Sequence, residues 1–429
     1  MIKTDQVFGV SNKILKHSYV DRGDLDIEIV HKSSRPCHMA LCGESKIGKS
    51  WIRQQNFPDA ITVQCRLNTV VVDIYTDILS QLGIKLLVEE TKEKVLKGRV
   101  EASAEAGASL LAKLKIKLGI DTSDAESLTS ISVGHDINDL MFVAEIIKSS
   151  GKRIVVEDFH YLSIEIRRKF SFDLKYLWDH GVFIVVVGVW AKSNMITYLN
   201  PDLAGRIEEI PVSWSSDDLY KVIERGSDVL NIEISRDIQD LAVRDSYRNV
   251  GLLQQLILQY LDEEKVFHNH DGEDKKLLGS LDKYNDAAMK IAEQLSKKYQ
   301  KFADDVSSGI RRRKDTTGIY GHAMAVILDS VDDDFIKGLP LQFIFDKAVA
   351  RQSRIQKQNL RTVLTKMEGL QVDEDGRGLV FSFNEATEEV SLIDKTLLFY
   401  RKYGTLKWPW EDLIAEATAE SAGNSTNVD

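Results

Sequence analysis

Residues 41–50, Leu41-Cys42-Gly43-Glu44-Ser45-Lys46-Ile47-Gly48-Lys49-Ser50, match the phosphate-binding pattern G-x-x-x-x-G-K-[ST] without a substitution. A triphosphate needs several backbone N–H groups converging on its oxygens, and Gly43 and Gly48 let a loop curl closely enough to supply them. Lys49 then reaches the β and γ phosphates and Ser50 holds Mg2+, so the stretch from Gly43 through Trp51 is a candidate ATP site. A second chemical element follows at Arg153-Ile154-Val155-Val156-Glu157-Asp158, an apolar run ending in two carboxylates. An ATP-hydrolysing site uses one carboxylate in the metal shell and one to polarise the attacking water. By position Glu157 serves the metal and Asp158 the water, the reverse of the usual Asp-Glu order, and the pair is expected at the end of the strand beside the P-loop strand. A solvated strand end is the alternative for this pair. Arg206, in Gly205-Arg206-Ile207-Glu208-Glu209, is the candidate arginine finger, a guanidinium presented to a neighbouring subunit's phosphates. Its alternative is a surface ion pair with Glu208 or Glu209.

These residues need elements to hold them. His38 to Cys42 reads as a buried strand, and Ser50 starts a helix whose N-terminal dipole faces the phosphates. Ala60 to Arg66 reads as a second strand, Val70 to Leu82 and Asn138 to Ser149 as helices, and Ile164 to His180 as another. The continuous apolar run Val182 to Val189 suits a fully buried parallel strand, with Gly188 at the nucleotide end. Beyond it Ser193 or Asn194 offers either a polar contact to the γ phosphate or a loop cap. The alternation of strands and helices predicts an α/β fold with a parallel sheet. Residues 89–132 interrupt it with Ala-, Lys- and Glu-rich sequence; the alternating Lys113 to Leu118 is either an extended contact strand or a solvated helical arm.

Upstream, Tyr19-Val20-Asp21-Arg22 precedes a periodic stretch from Leu25 to Val30, and these residues either line the adenine pocket or make a surface turn. The composition is that of a globular chain: 43% hydrophobic residues over 429 positions supports two or three domains. No apolar run is long enough to suggest a membrane span, and the N-terminus lacks the apolar core of a secretion signal. Cys37, Cys42 and Cys65 form neither a disulfide framework nor a zinc site, so a reducing cytoplasm is expected. The net charge of -10 excludes a surface covered in nucleic-acid contacts but not a local basic patch.

With the P-loop, the Ile154 to Asp158 strand, the strand ending at Gly188 and Gly205 to Glu208 in view, residues 15–262 resemble AAA+ ATPases of the origin-recognition and transposition-helper type, and the related STAND signalling ATPases. The resemblance implies a P-loop parallel sheet core, a helical lid and use of ATP with Mg2+. The lid is expected in Asp217 to Arg225, capped by Ser216, then Ser235 to Asp245 and Val250 to Leu261. Tyr247 to Gln254 is similar to the lid motif that senses nucleotide. The STAND proline is absent there, Leu252 and Leu253 stand where an AAA+ protein often has a sensing arginine, and Arg248 is the candidate substitute.

Residues 266–317 read as a linker and a long helix from Leu281 to Ile310, ending in Arg311-Arg312-Arg313-Lys314. Residues 318–403 have the order of a winged helix, with helices at Ala323 to Leu328, Leu341 to Ala350 and Ser353 to Met367, and a wing between strands Leu370 to Val372 and Leu379 to Phe383. Arg351, Arg354, Lys357 and Arg361 are the candidate DNA contacts, the last three at helical spacing on one face. The segments are thus 1–36 entry, 37–212 core, 213–265 lid, 266–317 linker, 318–403 winged helix and 404–429 tail, where Trp408-Pro409-Trp410 anchors the chain end. Function reads as an oligomeric ATP switch acting with a partner effector, as bacterial ATPases of similar layout do in anti-phage defence. The rivals are a DNA-binding regulator of replication initiation or transposition, and a nucleotide-stabilised scaffold that scarcely hydrolyses.

Overall fold

The structure, a computed structural model, describes residues 1–22, 24–89, 97–103, 105–118, 130–133, 140–190, 194–308, 318–371, 378–385, 387–405, 407–412 and 414–415. Helix α1 (Leu25–Ser33) leads into β1 (His38–Cys42), α2 (Lys49–Asn56), β2 (Ile61–Gln64) and α3 (Val71–Gln81). An inserted unit follows, β3 (Ile84–Glu89), β4 (Lys97–Ala102), α4 (Glu105–Leu118) and β5 (Ser130–Val133). The core resumes with α5 (Leu140–Ser150), β6 (Ile154–Glu157), α6 (Ile164–Asp179), β7 (Ile184–Val187), α7 (Met195–Leu199) and β8 (Ile207–Pro211).

The central sheet has the order β2-β6-β7-β1-β8 and every pairing in it is parallel. Strands β1, β6 and β7 are buried along their whole length, which explains their unbroken apolar composition: helices cover both faces. This order corrects one expectation. The strand carrying Glu157 is not beside the P-loop strand, because β7 lies between them. Neighbours in a parallel sheet are set by long crossovers, which local sequence does not encode. Buried His38 ties three elements at the other end of the sheet. The Ile184 N–H donates to Nδ1 at 2.9 Å, which leaves Nε2 as the protonated nitrogen that donates to the Leu174 carbonyl at 2.7 Å.

The insertion is neither a bare arm nor an extended lysine strand. Lys113 to Leu118 is helical, within α4, and Leu111 of that helix is fully buried in the core shared by α3 and α5. Gly107 makes the approach possible, since a Cβ there would stand 2.1 Å from the Gly83 carbonyl oxygen. Strands β3, β4 and β5 pair antiparallel beside it.

The lid comprises α8 (Ser216–Leu230), β9 (Ile232–Ile234), α9 (Arg236–Asp245) and α10 (Val250–Glu263). Ser215, rather than Ser216, caps α8: its hydroxyl accepts the Asp218 N–H at 3.0 Å. β10 (Lys276–Leu278) pairs with β9, and α11 (Leu281–Ser308) runs on to the C-terminal part. There α12 (Ile319–Leu328), α13 (Asp332–Lys337), β11 (Leu339–Pro340), α14 (Leu341–Arg351), α15 (Lys357–Gln371), β12 (Phe381–Asn384), β13 (Glu389–Leu392) and α16 (Thr396–Tyr403) follow. The three strands form an antiparallel sheet in the order β11-β13-β12.

Two details of this region differ from the sequence expectation. Leu370 belongs to α15, which runs past Gly369 to Gln371, and the hairpin is β12 with β13, one turn later than expected. The residues 372–377 of the expected wing lie outside the described residues, as do Ser193, Arg311 to Lys314 and the tail beyond 415. Trp410 is buried and stacks on Trp408 at 4.8 Å, fixing the chain end against Tyr400. Leu252 and Leu256 of the lid share one apolar core with Tyr299 and Phe302 of α11 and with the C-terminal helices, so lid and C-terminal region pack as neighbours.

Candidate nucleotide site

The loop from Gly43 to Gly48 leaves the C-terminal end of β1 and turns into α2. Gly48 takes φ 87°, a conformation that glycine adopts without Cβ strain, and places Lys49 at the first position of the helix. Every carbonyl from Gly43 to Ile47 accepts a hydrogen bond. Those of Gly43 and Glu44 accept from Lys49 Nζ at 3.0 and 2.5 Å. Ser45 O accepts from Asn249 Nδ2 and Lys46 O from the Gly251 N–H, each at 3.0 Å. Ile47 O accepts twice, from Arg22 Nη1 and from Trp214 Nε1, again at 3.0 Å. With its carbonyls engaged this way, the loop offers N–H groups and a helix N-terminus to an anion.

A cleft opens over this loop. Its lining includes Ser45, Lys46, Ile47, Gly48, Lys49, Ser50 and Trp51 of the motif, Tyr19, Val20 and Arg22 of the entry segment, Glu157 and Asp158, and Gly188. Sequence reasoning named all of these. Gly43 and Glu44 instead sit behind the cleft and brace Lys49. Burial lowers the Lys49 ammonium to about 8, opposed in part by the nearby Cys42, Asp158 and Glu44. Arg22, stacked 4.1 Å above Trp214, is lowered by burial to about 10.

The cleft also takes Gly9 to Ser11, which the sequence did not announce, and residues of the expected lid. Gly9, Val10 and Ser11 line it, held by Gln254 Oε1 accepting the Gly9 N–H at 3.1 Å and by Trp51 Nε1 donating to Ser11 O at 2.9 Å. Trp214, Val250, Gly251 and Gln254 close it from the lid side. Small residues in a loop carry no motif; tertiary contacts mark them, with Gln254, 245 residues away in sequence, and with Trp51.

At the end of β6 the two carboxylates are held differently. Glu157 Oε1 receives Arg53 Nε at 2.9 Å, while Asp158, at φ 57°, receives the neutral Gln64 Nε2 at 2.9 Å. Among the described residues no group of three or more His, Cys, Asp or Glu could hold a metal alone. The hydroxyl of Ser50 and the carboxylates of Glu157 and Asp158 are hard oxygen donors on one cleft. Such a set fits Mg2+, an ion that keeps waters and shares its shell with phosphates.

Three expected residues stand elsewhere. Arg206 precedes β8, at the end of the sheet opposite the P-loop, with its guanidinium 4.8 Å over the Trp178 ring and donating to Asp202 O. It makes no pair with either glutamate: Glu208 takes Lys32 and Arg35 at 3.2 and 2.8 Å, and Glu209 accepts the Asn194 and Ile196 N–H groups. Asn194 thus stands just before α7 and does not line the cleft. Arg248 is exposed in a turn at φ 64° and is not among the lining residues; its neighbours Val250 and Gly251 are.

The candidate DNA contacts do not form one helical face. Arg354 lies in the turn before α15, which begins at Lys357, so only Lys357 and Arg361 share a face. Arg351 pairs with Asp329 at 3.0 Å, Arg361 donates to Glu385 O at 3.2 Å beside Glu388, and Lys357 donates to Gln342 Oε1 at 2.8 Å.

No helix among the described residues is long and apolar enough to cross a membrane. No protein-family model matches the chain, and no curated protein matches it. Among solved structures, a Walker-type ATPase of Pyrococcus abyssi is similar over 90% of this chain and 96% of its own, at 12% identity and TM-score 0.48. The Orc1 protein of Aeropyrum pernix, solved in complex with DNA, is similar over 93% of both chains, at 12% identity and TM-score 0.36. A STAND protein of Pyrococcus horikoshii with a tetratricopeptide repeat sensor is similar over 96% of this chain and 46% of its own, at 10% identity and TM-score 0.35. Likenesses this distant carry no statement about activity, which rests on the cleft itself.

Proposed function

We propose that the chain is an ATP-binding and ATP-hydrolysing molecular switch in which the lid reports nucleotide to the C-terminal region. ATP binds with its phosphates on the Ser45 to Ser50 loop and Lys49, and its base between the entry segment and the lid. Glu157 with Ser50 serves Mg2+, and Asp158 orients the attacking water. The bound metal supplies charge neutralisation at the phosphates, and Lys49 adds a fixed positive charge in a mostly buried setting.

The observation that carries the switch is the turn from Asp245 to Gly251. One side of it touches the P-loop, through Asn249 to Ser45 O and Gly251 N to Lys46 O. The other side holds the C-terminal region: Asp245 accepts from Lys402 Nζ at 2.6 Å and Tyr403 OH at 2.5 Å, and Tyr247 OH donates to Asp332 at 2.5 Å. Lys395, just before α16, adds a direct ion pair to Glu44 of the P-loop at 2.6 Å. A shift of the loop on binding phosphate therefore has rigid contacts through which to move α16. Amide exchange of residues 394–403 tests this. ATP should change it in the wild type and leave it unchanged in Lys49→Ala; equal exchange with and without bound ATP removes the switch.

The helix, strand, two helices and hairpin of the C-terminal region we read as a winged helix. Its function here is to engage a partner effector, with anti-phage defence the leading setting. A homo-oligomer is part of the reading because Arg206, just before edge strand β8 and at the end of the sheet opposite its own P-loop, could act as a finger only on a neighbouring copy's phosphates. Duplex DNA is the second partner considered. The exposure of Arg354 and Lys357 favours it, and the pairing of Arg351 with Asp329 and of Arg361 with Glu388 weighs against it.

A further inference from the structure

The phosphate motif ends at Ser50, yet α2 carries a second basic residue one turn beyond Lys49. Arg53 Nε meets Glu157 Oε1 at 2.9 Å, and the two side chains are only 16% and 11% exposed. Solvent screens such a pair far less than a surface one. Asp158, by contrast, is held by an uncharged amide. The two carboxylates of the cleft therefore differ in charge compensation: Glu157 is paired directly with a guanidinium, whereas Asp158 accepts from an amide and has the Lys49 ammonium nearby.

We propose that Arg53 is a positioning residue that sets the divalent-cation affinity of the site, by holding Glu157 and competing with the cation for its charge. The inference rests on the nucleotide reading above. Glutamate is one methylene longer than the aspartate usual at this point, and a free Glu157 would sample several rotamers at the strand end. Arg53 Nε engages one carboxylate oxygen of Glu157, a residue that lines the cleft. The same guanidinium opposes an arriving dication, so Arg53 trades cation affinity for a defined carboxylate position.

The test uses the full chain and Mg2+ itself. Trp51 and Trp214 line the cleft, so their fluorescence follows ATP and then Mg2+ addition. Arg53→Met keeps most of the stem and removes the charge; the Mg2+ midpoint with ATP bound is expected to fall about tenfold. Arg53→Gln, a second neutral variant that retains a donor, should shift the midpoint in the same direction. Arg53→Lys should stay within about twofold of wild type, and adding Arg53→Met to Glu157→Gln should change nothing further. An unchanged or raised midpoint in both neutral variants, with unfolding midpoints like wild type, overturns the proposal. ATP binding without metal is measured separately. Its absence in the wild type would remove the nucleotide reading itself, whereas normal binding with an unmoved Mg2+ midpoint removes only the role of Arg53.

Discussion

Replacing Asp245 by alanine probes the joint between lid and C-terminal region. Its carboxylate is 1% exposed and accepts from Lys402 Nζ at 2.6 Å, Tyr403 OH at 2.5 Å and Tyr284 OH at 3.2 Å. Tyr284 is fully buried, so without Asp245 its hydroxyl loses a partner that water cannot replace, at a cost of about 1–3 kcal/mol. Lys402 is 37% exposed and regains water, so its lost ion pair contributes less than the roughly 3–5 kcal/mol of a fully buried one. Together the loss should be about 3 kcal/mol, with Asp245→Asn losing about half of that because an acceptor remains. Urea unfolding followed by tryptophan fluorescence gives the number. Amide exchange shows whether α16 loosens together with the lid. A loss below about 0.5 kcal/mol in Asp245→Ala, or loosening confined to α9, would refute the joint.

Two further outcomes follow from buried titrating groups. His38 is lowered from 6.5 to about 4 by burial, so the unfolded chain takes up a proton that the folded one refuses. Its contribution to stability is full above pH 6.5 and is lost as pH falls toward 4, by roughly 3 kcal/mol. A His38→Asn variant should lack this part of the urea-midpoint slope, and parallel slopes in both proteins would contradict it. For Lys49, lowered to about 8 by burial, deprotonation of the free protein above that pH opposes phosphate binding. ATP affinity should then decline above pH 8, by up to about tenfold per unit, while Lys49→Met shows weak binding without this pH dependence. An affinity in the wild type that is flat from pH 7 to 9 would mean that Lys49 does not meet the phosphates.

The parts of the site that a sequence can disclose are those in which a residue type is dictated locally. The P-loop glycines, Lys49 and the apolar strand ending at Glu157 and Asp158 are of this kind, and the structure gathers Gly48, Lys49, Glu157 and Asp158 on one cleft. Gly9 to Ser11 join that cleft through Gln254 of the lid and Trp51 of α2, tertiary contacts with no periodicity to betray them. The sheet neighbour of the Glu157 strand is hidden for a similar reason, since crossovers choose sheet order and put β7 between β6 and β1. In the C-terminal region, Leu370 continues a helical apolar stripe through Gly369, so α15 runs on to Gln371 where a strand is expected from Leu370. The lysine-rich insertion hid β3 and β4 because their side-chain pattern depends on what packs beside them.

The most direct measurement is ATP turnover by the purified chain and by Lys49→Ala, with and without duplex DNA, while particle mass is followed. Turnover in the wild type that is lost in Lys49→Ala, with mass rising on ATP, is the predicted result. Stimulation by DNA would assign the partner as DNA, and indifference to it would assign a protein. No turnover in any condition would contradict the hydrolysing switch and leave a nucleotide-stabilised scaffold.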